Sequence, residues 1–342
     1  MQYKVSIKRK CYLLSVLLMT VWLTGCVQEE FESTPSPAGN GIRFTLTVPD
    51  VNLPSVSSRT MTGTGTAKKE DEIKTVDILV FDMSKTPAVF LEWASATGVT
   101  QDLADNSTVS FSAVLSPTTA STCIVVVANK ELDDIVSGFT KGVTTKVRAM
   151  EEMLHTQTGK WLADGSTTGG YTRIPMYGEK VISKITPSMD PITDINMKRM
   201  LARIDIRNNS VTSNFTVEEV YLANYNTTGY IAPAWNTNGQ VTEPAPDTPV
   251  LPTGSGKMTE EGNAILYSVN GNTPYDGEIY TFESIAAEDV GGVGQDGALS
   301  RKEAVCLIVK GKIGSGKSTF YRVDFTKTGE TGEEVEYLSL KR

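Results

Sequence analysis

The stretch Ile42-Arg43-Phe44-Thr45-Leu46-Thr47-Val48 alternates apolar and polar side chains with a period of two. Successive side chains of a β-strand point to opposite faces, so this period predicts a half-buried strand. Its buried face would carry Ile42, Phe44, Leu46 and Val48. From residue 40 onward the same period recurs along the chain, which predicts an all-β fold.

Further strands are predicted wherever this period, or a continuous apolar run, returns between turn residues. Residues 124–127 have no polar alternation, which indicates a central strand covered on both faces. The remaining predicted strands are residues 74–81, 109–114, 195–206, 215–222, 265–269, 279–282, 305–310, 319–325 and 335–340.

One segment has a helical period instead. Residues 144–155 place Val147, Met150 and Leu154 on one face, which predicts a single short helix. His155, the one histidine of the chain, would stand at the C-terminal end of this helix, where the helix dipole favours a cation.

The predicted strands form two sets that separate at Asn208-Asn209-Ser210, which interrupts the strand pattern. We therefore expect two β-sandwich domains in tandem, residues 41–207 and residues 208–342. Residues 26–40 would form a linker. Residues 233–256, rich in proline, threonine and asparagine, are expected to form an exposed excursion.

The first 26 residues have the pattern of an export signal. Four basic residues within the first ten positions precede an apolar run at residues 12–23 and then Leu23-Thr24-Gly25-Cys26. A permanent membrane helix needs about 20 apolar residues, so the run is too short to remain in a bilayer. The pattern predicts a signal peptide at residues 1–25 and acylation of Cys26. The alternative is an ordinary signal peptide followed by an incidental cysteine.

The charge balance argues against nucleic acid as a partner. Without the four basic residues of the leader, 28 of the 32 remain against 40 acidic residues, a net charge of −12. Nucleic-acid binding needs clustered Lys and Arg. Cys123 and Cys306 each lie in an apolar strand-like run, so we expect two buried thiols rather than a disulfide.

Two glycine-rich segments match nucleotide-binding patterns by letter only. Gly311-Lys-Ile-Gly-Ser-Gly-Lys-Ser318 has phosphate-loop spacing, but the alternating residues 319–325 follow it where a helix is required. We therefore expect a hairpin turn there, with Lys317 in solvent. Residues 292–297 match the dinucleotide pattern, but no βαβ unit surrounds them, and we expect an acidic surface loop.

No segment predicts catalysis. A single histidine excludes multi-histidine metal sites and leaves one candidate general base of that type. We expect no catalytic residues, no metal and no cofactor, and the chain is predicted not to be an enzyme.

Taken in order, several segments resemble the fimbrillin-like subunits of type V pili, which are lipoprotein pilins of the Gram-negative outer membrane. The likeness spans most of residues 26–342. The residues that carry it are Cys26 with its preceding lipobox, residues 42–48, Ser57-Ser58-Arg59-Thr60, and residues 73–81, 174–178, 197–205 and 215–222.

The resemblance implies two transthyretin-like β-sandwiches and a cell-surface fimbrium assembled by strand exchange. It implies that an Arg-specific protease cuts after an arginine in an early loop, and that the first strand then leaves with the lipid. A strand from another pilin subunit would fill the groove. Arg59 lies where such a cut would fall, making Thr60 the new N-terminus, whereas Arg43 lies inside the predicted strand.

The family's subunits usually continue beyond a segment like Tyr337-Leu-Ser-Leu-Lys-Arg342, where this sequence stops. We therefore expect a C-terminal domain without its final strands, either because the chain is truncated or because it is a terminal subunit. A different function is a non-polymerising surface lipoprotein that binds a glycan or a host protein. Aromatic residues clustered in an exposed loop, such as Tyr225, Tyr230 and Trp235, would favour that alternative; the other interpretation is that these aromatics serve packing.

The acylation hypothesis gives the first testable prediction. Cys26→Ala removes the only thiol that the lipobox can present, so the variant should leave the membrane fraction as a soluble or unprocessed chain. Cell fractionation with mass spectrometry measures the change. Cys123→Ala, which removes a thiol from a predicted buried strand, should stay with the membrane; unchanged membrane partition of Cys26→Ala would contradict the anchor.

Overall fold

A computed structural model describes residues 42–47, 71–101, 108–161, 173–206, 214–255, 263–268, 275–286, 304–328 and 335–342. They all belong to one compact unit, Gly41–Arg342. Strands dominate, which confirms the all-β prediction. None of the described helices is long and apolar enough to cross a membrane.

The described residues up to Arg199 form ten strands and two helices, and residues 42–199 are called the first half below. The strands are β1 (Ile42–Thr47), β2 (Val76–Asp82), β3 (Val89–Ser95), β4 (Thr97–Gln101), β5 (Thr108–Ala113), β6 (Thr122–Ala128), β7 (Leu154–Thr156), β8 (Met176–Ile182), β9 (Ile192–Asn196) and β10 (Lys198–Arg199). The helices are α1 (Asp133–Val136) and α2 (Lys146–Glu152).

The second half adds nine described strands. They are β11 (Leu201–Ile206), β12 (Phe215–Ala223), β13 (Thr228–Tyr230), β14 (Ile265–Ser268), β15 (Tyr275–Phe282), β16 (Cys306–Ile313), β17 (Thr319–Asp324), β18 (Thr326–Thr328) and β19 (Val335–Tyr337).

Two sheets form the first sandwich. One has the order β4-β5-β1-β9 and the other β10-β8-β6-β2-β3. Their facing side chains, among them Phe44, Phe111, Ile78 and Ile124, form one buried core. All seven residues of β6 are buried, and β6 is the central strand of its sheet, which confirms the prediction for residues 124–127.

The five-stranded sheet has a second buried face. There Leu79, Val125 and Tyr177 pack with Met150 of α2 and with residues from the second half of the chain, including Phe282. Alternate residues of β2 and β6 therefore enter two different cores, because neighbours along a strand point to opposite faces. A strand buried on both faces reads as a continuous apolar run.

The second sandwich packs the sheet β14-β12-β16-β17 against the pair β11-β15. The predicted strand at residues 195–206 is in fact three strands, and its last part, β11, pairs with β15. Sheet membership thus changes between β10 and β11, earlier than the predicted boundary at residue 208. The division into two domains stays a prediction.

The helix prediction is partly wrong. The described residues contain two helices, and α2 ends at Glu152, so Leu154 and His155 lie in strand β7. The buried residues of α2 are Lys146, Ala149 and Met150, whereas Val147 is half-buried. Thr145 caps α2 by accepting a hydrogen bond from the Arg148 amide at 3.2 Å, a capping contact that fixes where the helix begins.

A buried charge explains the position of this helix. The side chain of Lys146 is 1% exposed, and its Nζ lies 2.6 Å from Oε2 of Glu179 on β8. The Tyr177 hydroxyl donates to the same oxygen at 2.5 Å. Burial, and then the charge of Glu179, raise the pKa of Tyr177, which therefore stays a donor.

This ion pair gives the second prediction. Glu179→Ala should lower the free energy of unfolding by about 3–5 kcal/mol, because it leaves the buried ammonium of Lys146 without its partner. Arg148→Ala is the matched control, since it breaks an exposed pair with Glu152 and should cost about 0.5 kcal/mol or less. Urea unfolding of both variants measures the difference; equal losses would refute this account of α2.

Candidate functional site

The first strand, β1, is inserted between two other strands of its sheet. It runs antiparallel to β5, with Phe44 opposite Phe111, and parallel to β9, with Leu46 opposite Ile195. The backbone amide of Met197 also donates to the carbonyl oxygen of Thr47 at 2.9 Å. Both edges of β1 are therefore hydrogen-bonded, and the strand closes a gap between β5 and β9.

The buried face of β1 is the one that the sequence predicts. Ile42, Phe44 and Leu46 are 5%, 1% and 0% exposed, and the rings of Phe44 and Phe111 stack with centroids 5.0 Å apart. Arg43 and Thr47 are exposed on the opposite face. At roughly 1.5–3 kcal/mol for each buried apolar side chain, burial holds this strand firmly in place.

Removal of β1 would create a defined vacancy. The facing edges of β5 and β9 would each lose a ladder of backbone hydrogen bonds, and unpaired edges are templates for another strand. The side chains of the opposite sheet that now touch β1, such as Ile78 and Ile124, would line the floor of an apolar groove. Only a strand with apolar residues at alternate positions could fill it.

The sequence did not predict that β9 pairs with β1, or that Gly178 lets β9 pack closely against β8. Gly178 lies on β8 beneath β9, where an added Cβ would stand 2.7 Å from the Met197 sulfur and 2.8 Å from Ile195 Cγ2. A glycine inside an apolar strand pattern is the signal of such a close approach.

Several predicted residues lie outside the part of the chain that the structure describes. These are the acylation site Cys26, the cleavage residues Arg59 and Thr60, the fourth apolar residue Val48 and the segment 292–297. The structure therefore places three of the four predicted side chains of the removable strand, Ile42, Phe44 and Leu46, and brings them together.

The segment with phosphate-loop spacing is a β-hairpin, as predicted. Strand β16 ends at Ile313, β17 begins at Thr319, and the two pair with Gly311 opposite Thr319. Gly311 lies under the Phe215 ring, so close that an added Cβ would be 2.5 Å from Phe215 Cζ. The glycine thus serves strand packing, and Lys317 is exposed in the turn.

The two cysteines are buried and unbridged, as predicted. Burial raises the pKa of the Cys123 thiol to about 11 and also raises that of Cys306. A thiol that stays protonated at neutral pH is a poor nucleophile.

The expectations for histidine and for the loop aromatics are corrected. His155 lies on β7 opposite Gly229, with its ring 5.1 Å from Trp161, and burial lowers its pKa. Tyr225 belongs to the core of the second sandwich and is 5% exposed. Tyr230 and Trp235 are half-buried and pack edge to face with ring centroids 4.9 Å apart, so the three residues do not form an exposed aromatic cluster.

No group of three or more His, Cys, Asp or Glu side chains in the described ranges has an arrangement that could hold a metal ion.

Comparison with known proteins identifies the class. The family model described as major fimbrial subunit protein (FimA) matches residues 42–242, which is more than half of the chain and begins at β1. The match defines a fimbrial surface protein that assembles with other fimbrial subunits. The chain belongs to the major fimbrial subunit protein (FimA) family. No curated protein matches it.

Three solved structures match this chain at low sequence identity. A candidate cell adhesion protein from Parabacteroides distasonis is 16% identical, with a TM-score of 0.45 over 88% of this chain and 85% of that one. A fimbrial assembly protein from the same species is 13% identical, with a TM-score of 0.39 over 87% and 95%. A candidate adhesin from Bacteroides ovatus is 13% identical, with a TM-score of 0.33 over 82% and 75%. At these values the likeness carries no functional information.

The burial of the apolar face of β1 gives the third prediction. Phe44→Ala removes a buried ring stacked on Phe111 and should lower the free energy of unfolding by about 3–5 kcal/mol. Arg43→Ala, on the exposed face of the same strand, should change it by no more than about 0.5 kcal/mol. Thermal and urea unfolding measure both, and a similar effect of the two substitutions would show that β1 is not held by its apolar face.

Proposed function

We propose that this protein is a structural or adhesive fimbrial subunit that assembles by protease-triggered strand exchange, with β1 as the strand that leaves. The observation that supports the proposal is the double pairing of β1 between β5 and β9. A strand in that position can be withdrawn without breaking any other strand pair of either sheet, and its vacancy accepts a strand of the same period.

The proposed sequence of events begins at the membrane. Cys26 carries the acyl chain and holds the subunit at the outer membrane, with the folded region at the cell surface. An Arg-specific protease cuts after Arg59, which separates β1 and the lipid from the rest of the chain. Arg43 is a poor alternative, because its backbone lies within the hydrogen-bonded ladder between β5 and β9.

The cut alone does not empty the groove in this scheme. Ile42, Phe44 and Leu46 remain buried after the covalent link is lost, and their burial opposes departure. Release therefore depends on an incoming strand from another subunit that offers apolar side chains at the same alternate positions. Assembly would then be slow until a partner arrives, which keeps single cleaved subunits folded.

The proposed role is not enzymatic. Both thiols are buried with raised pKa values, and the half-buried ring of His155 packs against the rings of Trp161 and Phe282. The rival glycan-binding role would need a shared aromatic surface, but Tyr225 is buried in the core of the second sandwich and Trp235 packs against a different core. Structural assembly accounts better for the geometry of β1.

Strand exchange gives the fourth prediction, which separates the cut from the release. Thr45 on β1 lies opposite Ser110 on β5, and directly paired residues have Cα atoms close enough for a disulfide. A Thr45→Cys/Ser110→Cys variant should be cut after Arg59 and yet not polymerise until a reductant frees β1. Arg59→Ala should block both the cut and polymerisation.

N-terminal sequencing and electron microscopy of surface fibres measure the two steps. The single variants Thr45→Cys and Ser110→Cys are matched controls, because neither can form the bridge, and both should polymerise normally. Fibres assembled from the oxidised double variant, or fibres in the Arg59→Ala strain, would refute release of β1 as the assembly step.

A further inference from the structure

Strand β17 forms an edge of the second sandwich. It is the outermost strand in the order β14-β12-β16-β17, and none of the described strands pairs with its outer edge. Its neighbour β16 is mostly buried, whereas residues 319–323 of β17 are all exposed. The strand contains neither lysine nor proline and pairs with β16 without a register shift. It therefore lacks three of the devices that prevent edge pairing, namely an edge lysine, a proline and a β-bulge.

The inner face of this edge is apolar. Tyr321 lies opposite Val309 and Val323 opposite Leu307, so both point to the side of the core. They are nevertheless 39% and 43% exposed. With Phe325, Ile313 and the residues beside them they line an open apolar cavity of about 560 Å³.

The charged residues of β17 are on the other face. Arg322 and Asp324 are two positions apart, which places them on one side of the strand, and Arg322 Nε lies 2.7 Å from Asp324 Oδ1. A strand with one cation and one anion at this spacing is electrostatically complementary to an antiparallel copy of itself.

We propose that β17 pairs antiparallel with β17 of a second copy of this chain, with Val323 opposite Val323. Around a two-fold axis through Val323, Arg322 of each copy lies opposite Asp324 of the other, so two ion pairs form across the junction. Tyr321 then lies opposite Phe325, and the two apolar inner faces become continuous. The two four-stranded sheets join into one sheet of eight strands.

Other registers match the charges less well. A two-fold axis perpendicular to the sheet must place one residue of β17 opposite itself, so that the inner faces stay on one side. An axis at Arg322 would put two guanidinium groups opposite each other, which is unfavourable. An axis at Phe320 or Tyr321 leaves Asp324 without an opposing cation. The register at Val323 is therefore the one that the charges select.

This pairing is lateral and exchanges no strand, so it does not depend on the release of β1. Full-length chain carrying Cys26→Ala, which cannot be acylated at that position, should form a reversible dimer in sedimentation equilibrium. Asp324→Arg and Arg322→Asp should each raise the dimer dissociation constant about tenfold or more, because two attractive pairs become repulsive.

An equimolar mixture of the two charge-reversed variants provides the decisive test of the proposed ion pairs. A heterodimer of Asp324→Arg with Arg322→Asp again has two opposite-charge pairs, so the mixture should recover the parent dissociation constant. Lys312→Glu, a charge reversal of a half-exposed lysine on β16, is the matched control and should leave dimerisation unchanged. A monomeric parent, a mixture that stays weak, or an equal loss in the control would overturn the proposal.

Crosslinking tests the register by itself. In the dimer Val323→Cys faces its own copy and should form a disulfide-linked dimer under mild oxidation. Val181→Cys, on β8 and at least as exposed, should not. Equal crosslinking of the two variants would refute the register even if a dimer forms.

Discussion

The insertion of β1 between β5 and β9 is the contact on which the first sandwich depends. Without it, the sheet β4-β5-β1-β9 would divide, because β5 and β9 have no other described link through hydrogen bonds. The core between the two sheets would also lose Ile42, Phe44 and Leu46 and would open to water. One strand thus supplies both the continuity of a sheet and a large part of the cover of a core, so its loss without a replacement would leave the sheet divided and the core open.

The alternation of buried and exposed side chains along β1 would allow another strand with the same alternation to take its place. The outer face of β1 carries Arg43, Thr45 and Thr47, of which Arg43 and Thr47 are exposed among the described residues, so a substitute strand has to match mainly one set of alternate positions. The central strand β6 contrasts with it, since its seven residues are buried between two cores and a substitute would have to match both faces. A half-buried strand that precedes every other described strand is the element best suited to exchange.

The sequence predicts strands best where a single period is uninterrupted. The alternation in β1, the apolar run in β6 and the hairpin around Lys317 all follow from local residues, and all are confirmed. The predicted helix end and the position of His155 were wrong, because residues 154–156 form a strand that pairs with β13, and its residue Thr156 bonds to Thr228, 72 positions away. The partners β5 and β9 of β1 are long-range pairings, which no local pattern encodes.

The connections between the two halves of the chain lie on the far side of the five-stranded sheet from β1. The core on that side joins Leu79 and Val125 to Tyr280 and Phe282, and strand β7 of the first half pairs with β13 of the second half, with Leu154 opposite Tyr230. None of these contacts involves a residue of β1. Withdrawal of β1 would therefore disturb the core between the first two sheets and would leave the contacts between the two halves unchanged. Under the proposed strand exchange, one groove would therefore open while the core shared by the two halves stays closed.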